Sequence, residues 1–188
     1  MGAVGWIIVA AIVVIGLFLI VTYNRLVSLR QTVSQAWSDV SVQLKQRRDL
    51  VPNLVETVKG YAAHERGTLE AVVQARNAAA SAANPQAQAQ AENLLTGALR
   101  QLFALAEAYP DLKANQNFLQ LQGELSDLEN KIAASRRFFN NSVQEYNTAT
   151  QTFPAVLFAG SLGFSNRDFY ELDAAEAAAA QAPPPVKF

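Results

Sequence analysis

The stretch from Ala3 to Thr22, AVGWIIVAAIVVIGLFLIVT, runs for twenty residues without a charge. At ~1.5 Å of rise per residue, a helix of that length matches the ~30 Å hydrocarbon core of a bilayer. A core helix of a soluble protein keeps a polar stripe, whereas this run is apolar on every face. Trp6 lies near one end and Tyr23 just past the other, where amphipathic rings prefer to sit. A cleaved leader would want Lys or Arg before the run and a small-x-small site after it. Here the run exits through Val21-Thr22-Tyr23-Asn24-Arg25, so residues 1–23 are expected to form a retained transmembrane anchor that meets lipid through residues 3–22. Without cysteine, a lipid-modified cysteine cannot do the anchoring. Arg25 and Arg30 follow the run, with Lys45, Arg47 and Arg48 further on. The basic side of a span stays cytoplasmic, which predicts a single-pass protein with its N-terminus out and its body in the cytoplasm.

A heptad follows the anchor. Steps of four and three connect Leu26, Arg30, Val33, Trp37, Val40, Leu44, Arg47, Val51, Leu54, Val58 and Tyr61. This is a two-in-seven seam that faces partner helices. Pro52 removes a helical hydrogen bond, yet the seam keeps its phase across it. One long helix kinked near Arg48 is the favoured reading, and its continuity with the anchor is left open. A break near Asp49, with Pro52 in the first turn of a new helix, is the alternative. A turn is expected over Gly60 to Gly67, then a helix from Thr68 that fades near Ala83. Asn84-Pro85 reads as an N-cap followed by proline at the first helical position. The next seam is Ala91, Leu95, Ala98, Leu102, Leu105 and Tyr109, and Pro110 closes it. The last helix is predicted from Asp111 to Gln151, with its seam on Phe118, Leu121, Leu125, Leu128, Ile132, Ser135, Phe139, Ser142, Tyr146, Ala149 and Phe153.

The fold class is therefore all-α: an N-terminal transmembrane helix, then an antiparallel up-down bundle of long helices, four of them, with three as the alternative. The bundle is assigned to residues 24–153. Residues 154–172 form an apolar C-terminal segment, and 173–188 an Ala/Pro-rich tail expected to be disordered.

Composition removes several function classes. The net charge of −1 leaves no broad basic field, so no nucleic-acid partner is expected. Zero cysteines exclude disulfides and thiol catalysis, and His64 is the single histidine. A carboxylate-bridged metal site in a bundle wants Glu-x-x-His pairs, but Tyr61 stands three residues before His64. No nucleophile elbow is present for a hydrolase triad. No cofactor, metal or catalytic residue is predicted.

Three groups remain. Glu107 to Asn117 gathers carboxylates and amides around Pro110; it reads as a helix corner with Asp111 or its neighbours capping the last helix, or as a cation or partner site. Arg47 occupies a seam position. It would either snorkel to water at the seam's edge or, if buried, pair with Glu124 or Glu129. The run Pro154 to Phe164 is apolar but too short to span. It would touch the membrane, join subunits, or pack across the base of the bundle. Its candidate interface residues are Phe153, Pro154, Leu157, Phe158, Leu162 and Phe164. Ser135 and Ser142 are small enough to let a neighbouring helix approach.

The run Glu107-Ala108-Tyr109-Pro110-Asp111-Leu112-Lys113-Ala114-Asn115, followed by Asn117-Phe118, resembles the signature of the LemA family. Tyr23-Asn24-Arg25-Leu26-Val27, Gln43-Leu44-Lys45 and Arg48-Asp49-Leu50-Val51-Pro52-Asn53-Leu54-Val55 are similar to its upstream blocks. Phe139-Asn140, Tyr146-Asn147 and Phe153-Pro154 fit near the end; a tyrosine is the family's usual residue at the position of Phe139. The resemblance covers roughly residues 1–171. It implies a single-pass bacterial membrane protein with a cytoplasmic helical bundle, in a group that includes a magnetosome-membrane protein. No enzymatic activity defines the family. The motif residues Arg47, Arg48, Pro52, Glu107, Tyr109, Pro110, Asp111, Asn115, Asn140 and Asn147 are accordingly expected in structural roles. Together these readings predict a self-associating scaffold at the cytoplasmic face of the inner membrane. A protein that shapes or organises lipid directly is the alternative.

Overall fold

The computed structural model describes residues 2–170. Its elements are α1 (Ala3–Lys59), α2 (Arg66–Ser81), α3 (Pro85–Ala106), the single-turn α4 (Pro110–Lys113) and α5 (Gln116–Gln151). Two 3-10 turns follow, Ala155–Leu157 and Gly160–Leu162. There is no strand among the described residues, and four of the helices are long, as the periodicity predicts. The tail over 173–188 and the last two positions of the 154–172 segment lie outside the described residues.

α1 runs unbroken from the apolar stretch through Pro52. The continuity has a local cause. Pro52 has no N–H, so the carbonyl of Arg48, four residues back, loses its helical donor. Arg76 Nε of α2 donates to that carbonyl at 3.1 Å instead. Pro52 itself faces solvent, while Val51, Leu54 and Val58 stay fully buried on the other side.

The chain divides into two compact units, Met1–Ser38 with Phe138–Arg167, and Asp39–Arg137 with Asp168–Phe188. The division falls inside α1 and α5 rather than in a linker. In the first unit, α1 and α5 run antiparallel. The ring of Trp37 meets that of Phe139 at 5.3 Å, and further along Leu26 and Val33 are buried with Val143 and Tyr146. α1 is the one helix among the described residues long and apolar enough to cross a membrane, and its most apolar window finds no cover in the protein. The N-terminal segment is thus compatible with a membrane anchor.

The second unit holds a continuous core: Val51, Leu54 and Val58 of α1, Leu69 and Val72 of α2, Leu95, Leu99 and Leu102 of α3, Leu112 of α4, and Phe118 and Leu125 of α5. Phe103 meets Phe118 edge to face at 6.1 Å. α3 begins as its sequence dictates: Asn84 Oδ1 accepts from the Ala87 amide at 2.8 Å, with Pro85 in the first turn.

Some expectations need correction. α2 starts at Arg66 and ends at Ser81. The last helix starts at Gln116, because the chain first makes the single turn α4; Asn115, not Asp111, is the residue whose side chain accepts from the Phe118 amide, at 3.0 Å. The first and last seams fray at their C-terminal ends, with Tyr61 and Phe153 exposed. Arg47 does not snorkel to water; it is 2% exposed.

Candidate functional site

The first unit ends in a strap. α5 stops at Gln151, the Phe153–Pro154 bond is cis, and the two 3-10 turns follow. Gly163 then adopts φ +77°, a left-handed conformation that a side chain disfavours, and reverses the chain so that the Phe164 amide reaches the Ala159 carbonyl at 3.0 Å. Phe164 turns inward. Its ring meets Tyr23 edge to face at 5.5 Å, and the Arg30 guanidinium lies 5.1 Å above it. Asn147 of α5 clasps the end of the strap with both ends of its amide: Nδ2 donates to the Arg167 carbonyl at 2.9 Å, and Oδ1 accepts from the Arg167 amide at 2.8 Å. Thr150 Oγ1 adds a 3.3 Å bond to Asn166.

Pinned at Phe164 and Asn147, with Ala155 and Ala159 buried, the strap turns its large apolar residues outward. Phe153 is 80% exposed, Leu157 74%, Val156 53% and Leu162 48%. Phe153 and Leu162 adjoin the last turns of the apolar run. Phe158, Ser161 and Leu162 share a groove of about 410 Å³ with Leu19, Ile20 and Tyr23. On another face of α1, Phe153, Pro154 and Ala155 line a cleft of about 660 Å³ with Phe18, Val21, Thr22 and Arg25. The unit is basic: Arg25, Arg30 and Arg167 stand against the single carboxylate of Glu145.

The second unit contains a buried ion cluster. Arg47 pairs with Glu92 and with Glu129, and its Nη2 also donates to the Glu92 carbonyl at 3.2 Å. Arg48 Nη1 donates to the other Glu92 oxygen at 2.7 Å, and Gln88 Nε2 to the same oxygen at 2.8 Å. Thr96 accepts from Arg47 Nη1 at 2.9 Å. Burial by itself would pull the Arg47 pKa down, but Glu129 and Glu92 outweigh it and hold the guanidinium above its ordinary value. Its Nε has no partner among the described residues. Two guanidiniums and two carboxylates balance, so the cluster can join three helices without a net buried charge.

The Glu107–Asn117 run forms the corner between α3, α4 and α5. Leu112 plugs it, Lys113 pairs with Glu107, and Pro110 and Asp111 open the one-turn helix. Asn115 Nδ2 donates to the Tyr61 hydroxyl at 2.9 Å, and Tyr109 donates to Glu65 at 3.1 Å. That bond to Glu65, with desolvation and the carboxylate's charge, raises the Tyr109 pKa. No group of three or more His, Asp or Glu that could hold a metal ion occurs among the described residues.

The structure thus separates the sequence-predicted residues. Phe153, Pro154, Leu157, Phe158 and Leu162 all lie on the strap, Phe153 and Pro154 in one cleft and Phe158 and Leu162 in a groove on another face, whereas Phe164 packs inside the chain. Ser142 is buried and donates to the Phe138 carbonyl at 2.9 Å, while Ser135 and Asn140 are half-buried. Sequence reasoning missed Glu92 and Gln88, because the seam in α3 was followed through apolar Ala91; the spacing Gln88-Glu92-Leu95-Leu99-Leu102 would have exposed them. Nothing in the local sequence announced Asn147 as a clasp for Arg167, twenty residues away.

The LemA family pattern matches residues 36–188. Protein LemA of Metamycoplasma hominis is 29% identical over 162 residues, covering 82% of this chain and 73% of that protein. Magnetosome protein MamQ of Magnetospirillum gryphiswaldense is 24% identical over 178 residues, covering 81% of this chain and 65% of its own length. Magnetosome protein MamQ 2 of Paramagnetospirillum magneticum is 22% identical over 179 residues, with 81% and 66% covered. The chain spans about two thirds of these magnetosome relatives. The family pattern takes in α2 to α5 complete, together with the second half of α1 and the strap, and on that match the chain belongs to the LemA family.

Proposed function

We propose that this protein is a non-enzymatic, membrane-anchored scaffold that presents a helical body at the cytoplasmic face of a bacterial inner membrane and self-associates there. The observation that carries the reading is the unbroken helix Ala3–Lys59. The helix that carries the apolar run also supplies Val51, Leu54 and Val58 to the core of the second unit, so anchor and body share one element, and this is what a membrane-bound scaffold needs. The charges support it too. Arg47, Arg48, Glu92 and Glu129 are absorbed in one cluster, Lys45 and Asp49 in an i,i+4 pair, and Lys113 and Glu107 in the corner, so these groups serve the fold. Arg25 and Arg30 beyond the span support the cytoplasmic side.

Light scattering of the detergent-extracted full-length chain, with detergent mass subtracted, tests this. A discrete multiple of the 20.4 kDa chain is expected. A clean monomer would remove self-association from the mechanism. A second reading, direct organisation of lipid, is favoured by the apolar strap beside the span.

A further inference from the structure

We infer that the strap over residues 153–162 is a second membrane contact, with Phe153, Val156, Leu157 and Leu162 seated in the interfacial layer of the bilayer that residues 3–22 cross. The inference rests on the reading of residues 3–22 as a span, and deepens the lipid-organising alternative.

Depth carries the argument. Phe158 and Leu162 share a groove with Leu19, Ile20 and Tyr23, and Phe153 shares a cleft with Phe18, Val21 and Thr22. Those α1 residues are the last turns of the apolar run. At ~1.5 Å per residue, Leu19 lies only about 5 Å inside its end. Side chains level with them stand in the zone where interfacial helices bury their apolar faces, about 5–10 Å into the headgroup and acyl boundary. The strap cannot move away from that level freely, because Phe164 is wedged between Tyr23 and Arg30, and Asn147 holds the Arg167 backbone.

Exposure and charge agree with depth. Phe153 and Leu157 are the most exposed apolar residues of the strap, and Phe153 and Leu162 line a cleft and a groove against an apolar run that is itself uncovered. A surface facing water would be expected to carry polar side chains at such positions. The charged groups of the same unit are Arg25, Arg30 and Arg167 against Glu145, in a chain whose net charge is −1. Arg25 lines the cleft with Phe153, where Glu145 stands as well, and an excess of positive charge beside apolar residues is the pattern that meets anionic headgroups. A second copy of the chain would bring the same excess of positive charge against this one, so like charges disfavour it as the occupant.

The test uses the full-length chain in vesicles of phosphatidylcholine and phosphatidylglycerol. The sequence has no cysteine, so Leu157→Cys and Phe153→Cys each take a single nitroxide, at sites exposed enough to leave the packing intact. Collision with oxygen and with a water-soluble nickel chelate is then measured. Ser126→Cys on exposed α5 surface serves as the aqueous reference, and Ile12→Cys as the reference for the span. The expected result is an oxygen-to-nickel ratio at 153 and 157 several-fold above that at 126. Ready access to nickel at 153 and 157 would overturn the inference, since the strap would then lie in water. Protection from both reagents would overturn it as well, because the strap would be covered by protein. Nickel access at position 12 would bring down the spanning reading along with the inference. A lipid-like position 12 with watery positions 153 and 157 would bring down the inference alone.

Discussion

The repair of α1 at Pro52 can be measured as a coupling. Arg76→Met keeps most of the side-chain stem and removes the Nε donor, 3.1 Å from the Arg48 carbonyl. With Pro52 in place, that part-buried carbonyl has neither a helical amide nor a guanidinium, and an unsatisfied buried acceptor costs about 1–3 kcal/mol. The charge of the lost donor raises the loss and the partial exposure lowers it, which puts it near the middle of this range, about 2 kcal/mol. In a Pro52→Ala background, the restored amide at position 52 can serve the same carbonyl, and the same Arg76→Met change should cost less than about 1 kcal/mol. The general gain in helix propensity from Pro52→Ala appears in both arms and cancels, as does the 3.3 Å contact of Arg76 with Asn77. A coupling of about 1–1.5 kcal/mol is therefore expected, above the ~0.3–0.5 kcal/mol within which independent changes add. Urea unfolding of the four full-length variants, followed by helical ellipticity, gives the cycle. Additivity within that error would refute the account and leave the tolerance of Pro52 without a cause.

Three further outcomes follow from the geometry. Glu92→Gln strands Arg47 beside Arg48 with only the half-exposed Glu129 to pair with, so it should destabilise the protein by about 3–5 kcal/mol, or roughly 6–20 °C in a thermal melt; adding Arg47→Met should recover much of the loss. Asn147→Ala removes two hydrogen bonds to the Arg167 backbone and should cost about 1–3 kcal/mol locally, seen as faster amide exchange at Arg167 with little change at Leu95. The Tyr109 pKa is raised in the folded state, so its contribution is fully present below the ordinary phenol value near 10 and is lost as the pH rises through the raised one. Spectroscopic titration of the folded chain against Tyr109→Phe should show the missing phenol titrating above that value.

The helices were legible because their signals are local. A charge-free run of twenty residues, heptads that hold phase across Pro52, and Asn84 before Pro85 each determine a backbone state within a turn or two. What escaped depends on partners distant in sequence. For Arg47 the sequence offered both a place at the seam's edge and a buried pairing that included Glu129, and its own helix puts no carboxylate three or four residues from it; its burial and its second partner, Glu92, are set by residues 45 and 82 positions away. The start of α5 slipped by a turn because Asp111 and Asn115 are both good caps, and only Leu112, seated in the core, shows that the first of them opens a separate single turn. Phe164 read as one more exposed apolar residue because the positive φ of Gly163, which turns it inward, leaves no periodicity to follow.

The two units use polarity in opposite ways, and the contrast bears on function. In the second unit, charged side chains go inside: Arg47 and Glu92 are each 2% exposed and join α1 to α3 with Glu129 of α5. An apolar heptad alone would tolerate a slip of one repeat with similar packing, whereas a slip of α1 against α3 and α5 would part Arg47 and Arg48 from Glu92 and Arg47 from Glu129. Such a cluster adds little net stability over a well-packed apolar one, but it penalises the wrong register heavily. In the strap of the first unit, the polar side chains tie the backbone down while Phe153, Val156 and Leu157 face out. In water this arrangement would be unfavourable at every one of those positions. It becomes favourable where the surrounding medium is the boundary of a bilayer, and the apolar run beside it, long enough to cross one, is compatible with such a medium. The same polar bonds that hold the strap in place would then keep its apolar side chains at a fixed depth.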